Sequence, residues 1–300
     1  MPNVFTPPRI IGLFIRTGKT EIVESALYLA DYLHNAGYTV SLDAETIGLE
    51  LLAQQGHSRH AVLPRITLLA HIDVAIVLGG DGTMLAVGRA VAPFQIPLIG
   101  INQGRLGFMT DIAQDKSMCA EILAILQGKT LVEERLLLQA TVKRAGVTVC
   151  ESLAVNDIVL NRGALGSMIE FEVFIDNQFV YSQRSDGLII NTPTGSTAYA
   201  LAAGGPILHP ALHAITLVPI CPQALNNRPI AVRDSNQVRC LLTRGADARV
   251  HFDGQSHLDL LERDEVLIER HPDSLTIWHP QNYNYYDVLR QKLHWGERLV

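Results

Sequence analysis

The segment 79–83, Gly-Gly-Asp-Gly-Thr, combines residue types that phosphate chemistry uses. It follows a continuous apolar run, 74–78, and precedes a helical pattern that begins near Met84. Paired glycines let the backbone come close to a ligand, and the N–H groups at a helix start form an anion site. A carboxylate there repels a phosphate unless it binds a cation or accepts a proton, so Asp81 indicates phosphoryl transfer rather than passive binding. The alternative is a tight turn with an Asx-type hydrogen bond.

An earlier stretch, 12–20 (GLFIRTGKT), ends in the Gly-Lys-Thr of a Walker phosphate loop. A Walker loop places four residues between its first glycine and Gly-Lys, whereas five intervene here. Residues 13–15 are apolar and fit the end of a strand. The stretch therefore predicts a plain strand-to-helix connection, with Lys19 near the mouth of a pocket.

Two other stretches are candidates for ligand contact. The first, 102–108 (NQGRLGF), follows the next predicted parallel strand, so we expect it beside segment 79–83. Its alternative is a glycine-rich turn that lets the chain leave the sheet. The second, 183–206 (QRSDGLIINTPTGSTAYALAAGGP), places hydroxyl groups before an alanine run, which marks a helix start, and its small side chains leave room for a flat ligand. Its alternative is an alanine-rich turn packed against a sheet.

Asn156 and Asp157 put two polar side chains inside a strand pattern. Buried amide and carboxylate groups are costly without partners, and a ribose diol could supply them. A bulge whose polar pair is satisfied internally is the alternative. Segment 253–255 (DGQ) predicts on its own only a hairpin turn.

The composition excludes several classes of function. A net charge of −6 argues against a general nucleic-acid binder, because no basic excess neutralises phosphates. The eleven histidines form no HExxH motif, and the four cysteines are scattered, so we expect reduced thiols and no protein-built metal site. No apolar run is long enough for a membrane span and no signal peptide is evident, so we expect a cytoplasmic protein. The low charged fraction, 18%, fits either a homo-oligomer or a large core.

Strand and helix patterns alternate in the first third of the chain, which predicts an open, Rossmann-like α/β domain over 1–130. From residue 131 the pattern changes to short, alternating β segments, which predicts a β-sandwich-like domain over 131–279. The tail, 280–300, is helical in pattern, and we expect it to return to the first domain.

In this order, the segments closely resemble the NAD kinases of bacterial type. The resemblance rests on GGDGTML at 79–85, GINQGRLGFMTD at 100–111, AVNDIVL at 154–160, MIEFEVFID at 168–176 and the long element at 183–206. It implies ATP-dependent phosphorylation of the 2′-hydroxyl of the adenosine ribose of NAD, giving NADP, with a divalent cation such as Mg²⁺. It also implies an α/β domain and a β-sandwich domain with the site between them, in a homodimer or homotetramer.

The resemblance assigns roles to individual residues. Asp81 would accept the proton of the 2′-hydroxyl, and the phosphates of ATP would lie on Gly79, Gly80, Gly82, Thr83 and Asn102. The residues that would contact NAD are Asp81, Gly82, Asn156, Asp157, Ser167, Arg184, Asp186, Thr194, Thr197, Ala198, Tyr199, Ala200, Leu201, Ala202 and Gln255. Many members of the family have glutamate where this chain has Asp157, and some have histidine at Ser167.

Two other functions compete with this interpretation. One is a GGDGT-type kinase that acts on a lipid or a sugar phosphate. The small-residue run at 194–206 and the absence of an amphipathic membrane face count against the lipid version. The other is a non-catalytic NAD(P)(H)-binding regulator, against which the intact GGDGT with Asp81 counts.

Overall fold

The computed structural model describes residues 6–16, 20–47, 59–104, 107–163, 167–224 and 226–295. The chain divides into two compact units. The first consists of Met1–Glu134 with Leu275–Val300, and the second of Arg135–Ser274. The domain limits expected from the sequence, 1–130 with 280–300 and 131–279, stay a prediction. Lys19, expected near a pocket mouth, lies outside the described residues.

The first unit is built on a sheet with helices. Its strands are β1 (Ile10–Ile15), β2 (Thr39–Asp43), β3 (Ala61–Leu63), β4 (Val74–Leu78), β5 (Leu98–Asn102), β6 (Ile112–Ala113), β7 (Thr130–Arg135) and β20 (Leu275–Pro280). They run in the order β3-β2-β1-β4-β5-β20-β7, with β6 also on β5, and the pairs from β3 to β20 are parallel. Every residue of β4 and β5 is buried, as expected of parallel strands covered on both faces.

Helices connect these strands. They are α1 (Thr20–Asn35), α2 (Ala44–Ile47), α3 (Arg65–Leu69), α4 (Asp81–Val91) and α5 (Met118–Leu126), and α7 (Tyr285–Leu293) follows β20. The buried side chains of α1 recur with the 3.6-residue period of a helix, and Ile22, Ala26, Ala30 and Leu33 lie in the core. The predicted α/β class and the return of the chain's last helix to the first unit are confirmed.

Strand β20 carries a fully buried histidine, His279. Its Nδ1 lies 3.0 Å from Asp111 Oδ2, and its Nε2 lies 3.0 Å from Glu133 Oε2. Burial lowers the pKa of His279, but its hydrogen bonds with the two carboxylates outweigh burial and leave the pKa raised. The returning strand is thus held by polar contacts as well as by the sheet.

The second unit consists of two antiparallel sheets. Its strands are β8 (Leu138–Arg144), β9 (Val147–Ala154), β10 (Asp157–Arg162), β11 (Ile169–Ile175), β12 (Gln178–Ser185), β13 (Gly187–Asn191), β14 (Ala214–Ile220), β15 (Ile230–Arg233), β16 (Val238–Arg244), β17 (Ala248–Phe252), β18 (Ser256–Leu260) and β19 (Glu265–Arg270). One sheet has the order β15-β14-β13-β10-β17-β18, and the other β12-β11-β16-β19-β8-β9. Alternate side chains of both sheets, such as Phe171 and Phe252, form one core, which confirms the predicted sandwich.

The first of these sheets is also covered on its outer face. A 3₁₀ turn, Thr194–Thr197, and the short helix α6, Tyr199–Ala202, follow β13. Ala200 of α6 packs with Val159, Ile189 and Val218 in a small cluster separate from the sandwich core. The predicted short helix is therefore present, and it lies on the sheet. In the ranges given above, no helix has the length and apolar character needed to cross a membrane.

Candidate functional site

Segment 79–83 joins β4 to α4, as predicted, but the helix begins three residues before Met84. Gly80 is the N-cap, and α4 begins at Asp81. The backbone N–H groups of Thr83 and Met84 both donate to Gly80 O, at 3.0 and 3.1 Å. Glycine, aspartate and threonine have low helix propensity, so the sequence pattern did not predict that the helix includes residues 81–83. Asp81 consequently lies at the positive end of the helix dipole.

The carboxylate of Asp81 connects two loops. Its Oδ2 accepts a hydrogen bond from Phe108 N, and its Oδ1 accepts one from Met109 N, both at 3.0 Å. The prediction that segment 102–108 lies beside segment 79–83 is confirmed. The two donors hold the carboxylate in one orientation, and a carboxylate with about four lone-pair positions keeps about two for another donor.

Gly107 is needed for this arrangement. A Cβ atom at this position would lie 2.2 Å from Asp81 Oδ1 and 2.3 Å from Thr110 Oγ1. A side chain would therefore displace the carboxylate or the loop. Arg105 and Leu106 of the same stretch lie outside the described residues.

The other residues expected to meet phosphate surround this loop. Asn102 is buried at the end of β5, and Gln103 Nε2 donates to Leu78 O at 3.2 Å. A Cβ at Gly80 would find no other atom within 4 Å, so the space over Gly80 is open. The first unit thus brings together the phosphate-binding residues that the sequence predicts.

Asn156 lies at the break between β9, which ends at Ala154, and β10, which begins at Asp157, so only Asp157 is part of a strand. The carboxylate of Asp253, in the β17–β18 turn, accepts hydrogen bonds from the backbone N–H groups of both residues and of Val155, at 2.7 to 3.1 Å. The predicted hairpin turn at 253–255 is confirmed. The sequence did not predict that Asp253 binds this backbone, because an aspartate in a turn is common.

Asp157 itself is buried, with 5% of its surface exposed. Burial raises the pKa of Asp157 to about 7, and the negative charge of Asp253 adds to the shift. The carboxyl group therefore changes its protonation state near neutral pH.

Segment 192–197 packs tightly against the backbone of Asn156. Thr192 N donates to Asn156 O at 2.9 Å, and Thr192 Oγ1 donates to Val155 O at 2.6 Å. A Cβ at Gly195 would lie 2.1 Å from Asn156 O. The helix start and the tight packing are therefore both present, and ligand contact by this segment stays a prediction.

Arg135 supports the same segment and was also missed from the sequence. It is 1% exposed, and its guanidinium group donates to Thr194 Oγ1 at 3.3 Å. In the sequence, Arg135 is distinguished only as a charged residue at the start of an apolar run, which does not predict its contact with Thr194. A buried guanidinium so close to the predicted ligand contacts fixes the position of Thr194.

Two predicted residues, Asp186 and Tyr199, line one cavity of about 350 Å³ in the second unit. The other residues that line it are Asn161, Arg162, Gly163 and Ile220. Asp186 forms an ion pair with Arg162, with Oδ1 2.7 Å from Nε. The cavity adds Asn161 and Arg162 to the candidate residues, and neither was found from the sequence.

The remaining predicted contacts are more exposed. Thr197, Ala198 and Leu201 are half-buried, and Ala202 is exposed. Ser167 and Gln255 are exposed, and Arg184 Nε lies 3.7 Å from Glu170 Oε1. In the part of the chain that the structure describes, no group of three or more His, Cys, Asp or Glu side chains could hold a metal ion.

Two family models match most of the chain. The model described as the ATP-NAD kinase N-terminal domain matches residues 11–130, and the ATP-NAD kinase C-terminal domain matches residues 155–279. These matches cover both units of the fold.

Curated relatives match nearly the whole chain. The NAD kinase of Laribacter hongkongensis is 60% identical, over 97% of this chain and 98% of the relative. The NAD kinase of Chromobacterium violaceum is 58% identical with the same coverage, and that of Neisseria meningitidis serogroup B is 49% identical over 98% of this chain and 99% of the relative.

Solved structures share the fold. Yeast NADH kinase complexed with NADH has a TM-score of 0.89 at 24% identity, over 98% of this chain and 91% of that one. An NAD kinase from Archaeoglobus fulgidus in complex with ATP has a TM-score of 0.70 at 23% identity, over 96% of this chain and 97% of that one. The domain matches and the identity to curated relatives over nearly the full length show that this chain belongs to the ATP-NAD kinase family.

Proposed function

We propose that this chain transfers the γ-phosphate of ATP to the 2′-hydroxyl of the adenosine ribose of NAD, giving NADP and ADP. The observation that carries the proposal is the Asp81 carboxylate, held at the start of α4 by two backbone donors, in a chain of this phosphotransferase family. The competing functions, a lipid or sugar-phosphate kinase and a non-catalytic regulator, are disfavoured by the full-length similarity to NAD kinases.

Asp81 is the proton acceptor in this proposal. The O–H bond of the 2′-hydroxyl breaks, its proton passes to the carboxylate, and the oxygen forms a bond to the γ-phosphorus as the bond to ADP breaks. The Phe108 and Met109 N–H groups keep the carboxylate oriented while about two lone-pair positions accept the hydroxyl.

The phosphates of ATP are proposed to lie on Gly79, Gly80, Gly82, Thr83 and Asn102. The open space over Gly80 supports this, because a phosphate needs backbone that it can approach closely. The N-terminal end of α4 adds a partial positive charge that favours an anion.

The second unit is proposed to bind NAD. Asp157 accepts a hydrogen bond from a ribose hydroxyl, and Asn156, held by Asp253, contributes its amide. The other proposed contacts are Ser167, Arg184, Asp186, Thr194, Thr197, Ala198, Tyr199, Ala200, Leu201, Ala202 and Gln255. Their support is the resemblance of their segment to the family and the shared cavity of Asp186 and Tyr199.

A divalent cation, Mg²⁺, is proposed to arrive with ATP. Mg²⁺ commonly binds through substrate phosphates and few carboxylates, which fits a chain whose described part offers no metal cage. When bound, it neutralises phosphate charge, and no residue of this chain is assigned to it. A cytoplasmic location and a homodimer or homotetramer stay predictions; light scattering of the purified protein measures the oligomer.

The proposal is tested by incubating the purified protein with NAD, ATP and Mg²⁺ and measuring NADP. We expect turnover that disappears in Asp81→Asn. Binding of NAD without NADP formation, by a folded wild-type protein, would support the regulator instead. Sedimentation with vesicles of phosphatidylcholine and diacylglycerol tests the lipid-kinase alternative, for which we expect no binding.

A further inference from the structure

Asn161 has a buried side-chain oxygen that lacks a hydrogen-bond partner among the residues that the structure describes. It lines the cavity of about 350 Å³ that also contains Asp186 and Tyr199. A buried carbonyl oxygen without a donor is unfavourable, so such an atom indicates a missing donor. The cavity supplies the space in which a ligand can bring one.

The position of Asn161 on its strand connects this cavity to Asp157. Successive side chains of a strand point to opposite faces, so Asp157, Val159 and Asn161 share one face of β10. Val159 on that face packs against Ala200 of α6, whereas Ile158 and Leu160 belong to the sandwich core. Asn161 therefore continues the same outer face on which the proposed NAD contacts lie.

The charge around the cavity selects the ligand group. Arg162 is bound to Asp186 twice, through the 2.7 Å ion pair and through its backbone N–H, which donates to Asp186 O at 2.9 Å. Because Asp186 compensates the guanidinium charge, the cavity wall is left with an unpartnered acceptor beside a carboxylate. Such a wall favours a neutral donor and disfavours an anion.

We propose that Asn161 is a specificity-determining residue that accepts a hydrogen bond from an exocyclic amino group of the dinucleotide. This inference rests on the proposed function, which supplies NAD as the ligand. NAD carries two such groups on flat rings, the carboxamide NH₂ of nicotinamide and the 6-amino group of adenine. The side-chain oxygen of Asn161 can accept a hydrogen bond from either amino group, and substrate analogues distinguish the two.

The test compares the wild type with Asn161→Leu, which removes the acceptor at similar size. The substrates are NAD, nicotinic acid adenine dinucleotide, which lacks the amide NH₂, and nicotinamide hypoxanthine dinucleotide, which lacks the adenine amine. We expect kcat/KM for NAD to fall about tenfold in the variant, the usual value of one hydrogen bond. For the analogue that lacks the group bound by Asn161, kcat/KM of the variant should lie within about twofold of the wild-type value.

Gln139→Leu is the matched control, because Gln139 is a half-buried amide on the other sheet. Gln139→Leu should leave kcat/KM unchanged for all three substrates. Asn161→Ser, which cannot overfill the cavity, is the second variant if Asn161→Leu fails to fold. Unchanged kcat/KM for NAD, or an equal loss with all three substrates, would overturn the inference.

Calorimetric dissociation constants for the same three ligands separate this inference from the proposed function. If the wild type binds NAD but forms no NADP, the proposed function fails, and the binding ratios still decide the role of Asn161. Equal weakening of all three ligands overturns it, and loss of discrimination against one analogue supports it.

Discussion

Asp81 and Asp157 are both proposed to meet a hydroxyl group of NAD, but the chain surrounds them in opposite ways. Around Asp81, backbone N–H groups of Phe108 and Met109 point at the carboxylate. Around Asp157, the backbone N–H points away to Asp253, and the carboxyl group is buried near that second carboxylate. The first arrangement fixes an acceptor in place, and the second produces a group that titrates near pH 7.

The difference shows that residue type alone does not decide what a carboxylate does. Donors from a neighbouring loop suit a group that must accept a proton at one place in the reaction. Burial beside a like charge suits a contact whose strength depends on pH. Substitutions at and around each carboxylate test whether the two environments produce these two behaviours.

Replacing the fixed acceptor should have the largest effect. Asp81→Asn keeps the shape of the side chain but removes the base, so kcat should fall about 10²-fold or more. The dissociation constant of NAD should stay within a few-fold, because binding is proposed to rest largely on the second unit. Steady-state kinetics and calorimetry measure the two quantities. Full activity of the variant would refute the assignment of Asp81.

Gly107→Ala should displace the same carboxylate without changing it, since the new Cβ would lie 2.2 Å from Asp81 Oδ1. We expect kcat to fall about tenfold or more, on the usual effect of a misplaced catalytic group. The control is the double variant with Asp81→Asn, in which Gly107→Ala should cost little further activity. Additive losses in kcat would show that Gly107 acts independently of Asp81.

The titrating carboxyl group should make NAD binding depend on pH. The ionised form of Asp157 is the stronger acceptor of a hydrogen bond from a ribose hydroxyl, and the pKa of Asp157 is about 7. Binding to the ionised form must remove a proton at pH 6 and need not at pH 8. We expect the dissociation constant to be about tenfold higher at pH 6 than at pH 8, one pKa unit being a factor of ten. Asp157→Asn should bind NAD with little pH dependence. If the dissociation constant of that variant changed with pH as much as that of the wild type, the role of Asp157 would be contradicted.

Asp253→Asn should have the smallest effect. Asparagine tolerates the positive φ of 51° at this turn position, but the variant loses the negative charge near Asp157. The pKa of Asp157 should then fall, so the midpoint of the pH profile for NAD binding moves to lower pH. The free energy of unfolding should fall by about 1 kcal/mol, because one of three backbone donors loses a carboxylate acceptor.

Asp259→Asn is the matched control for this last change, because Asp259 is an exposed carboxylate on the adjoining strand β18. Calorimetry over a range of pH and urea unfolding should show little change in this variant. An equal shift of the pH midpoint in both variants would assign the effect to net charge instead of to Asp253.

The sequence predicted the parts of the site that depend on local pattern. Buried strands followed by glycine-rich segments located Asp81 and its loop, and alternation located the sandwich. It did not predict the contacts that depend on tertiary structure. The donors to Asp81 come from 27 and 28 residues away, and Asp253 reaches backbone 96 to 98 residues away.

The missed first turn of α4 has a similar cause. A Gly-Asp-Gly-Thr stretch favours a loop by propensity, and tertiary contacts to Asp81 and Gly107 override it. Asn161 carried no sequence signal, because an asparagine at the end of a strand is ordinary until the cavity around it is known.

The insertion of β20 between β5 and β7 has a consequence for biosynthesis. On the ribosome, all of Arg135–Ser274 emerges before Leu275–Pro280 does. The second unit can therefore complete its fold while the sheet of the first still lacks a strand, with part of the β5 edge open to other chains. Nascent chains should be most prone to misassembly in that interval, which ends when His279 reaches Asp111 and Glu133.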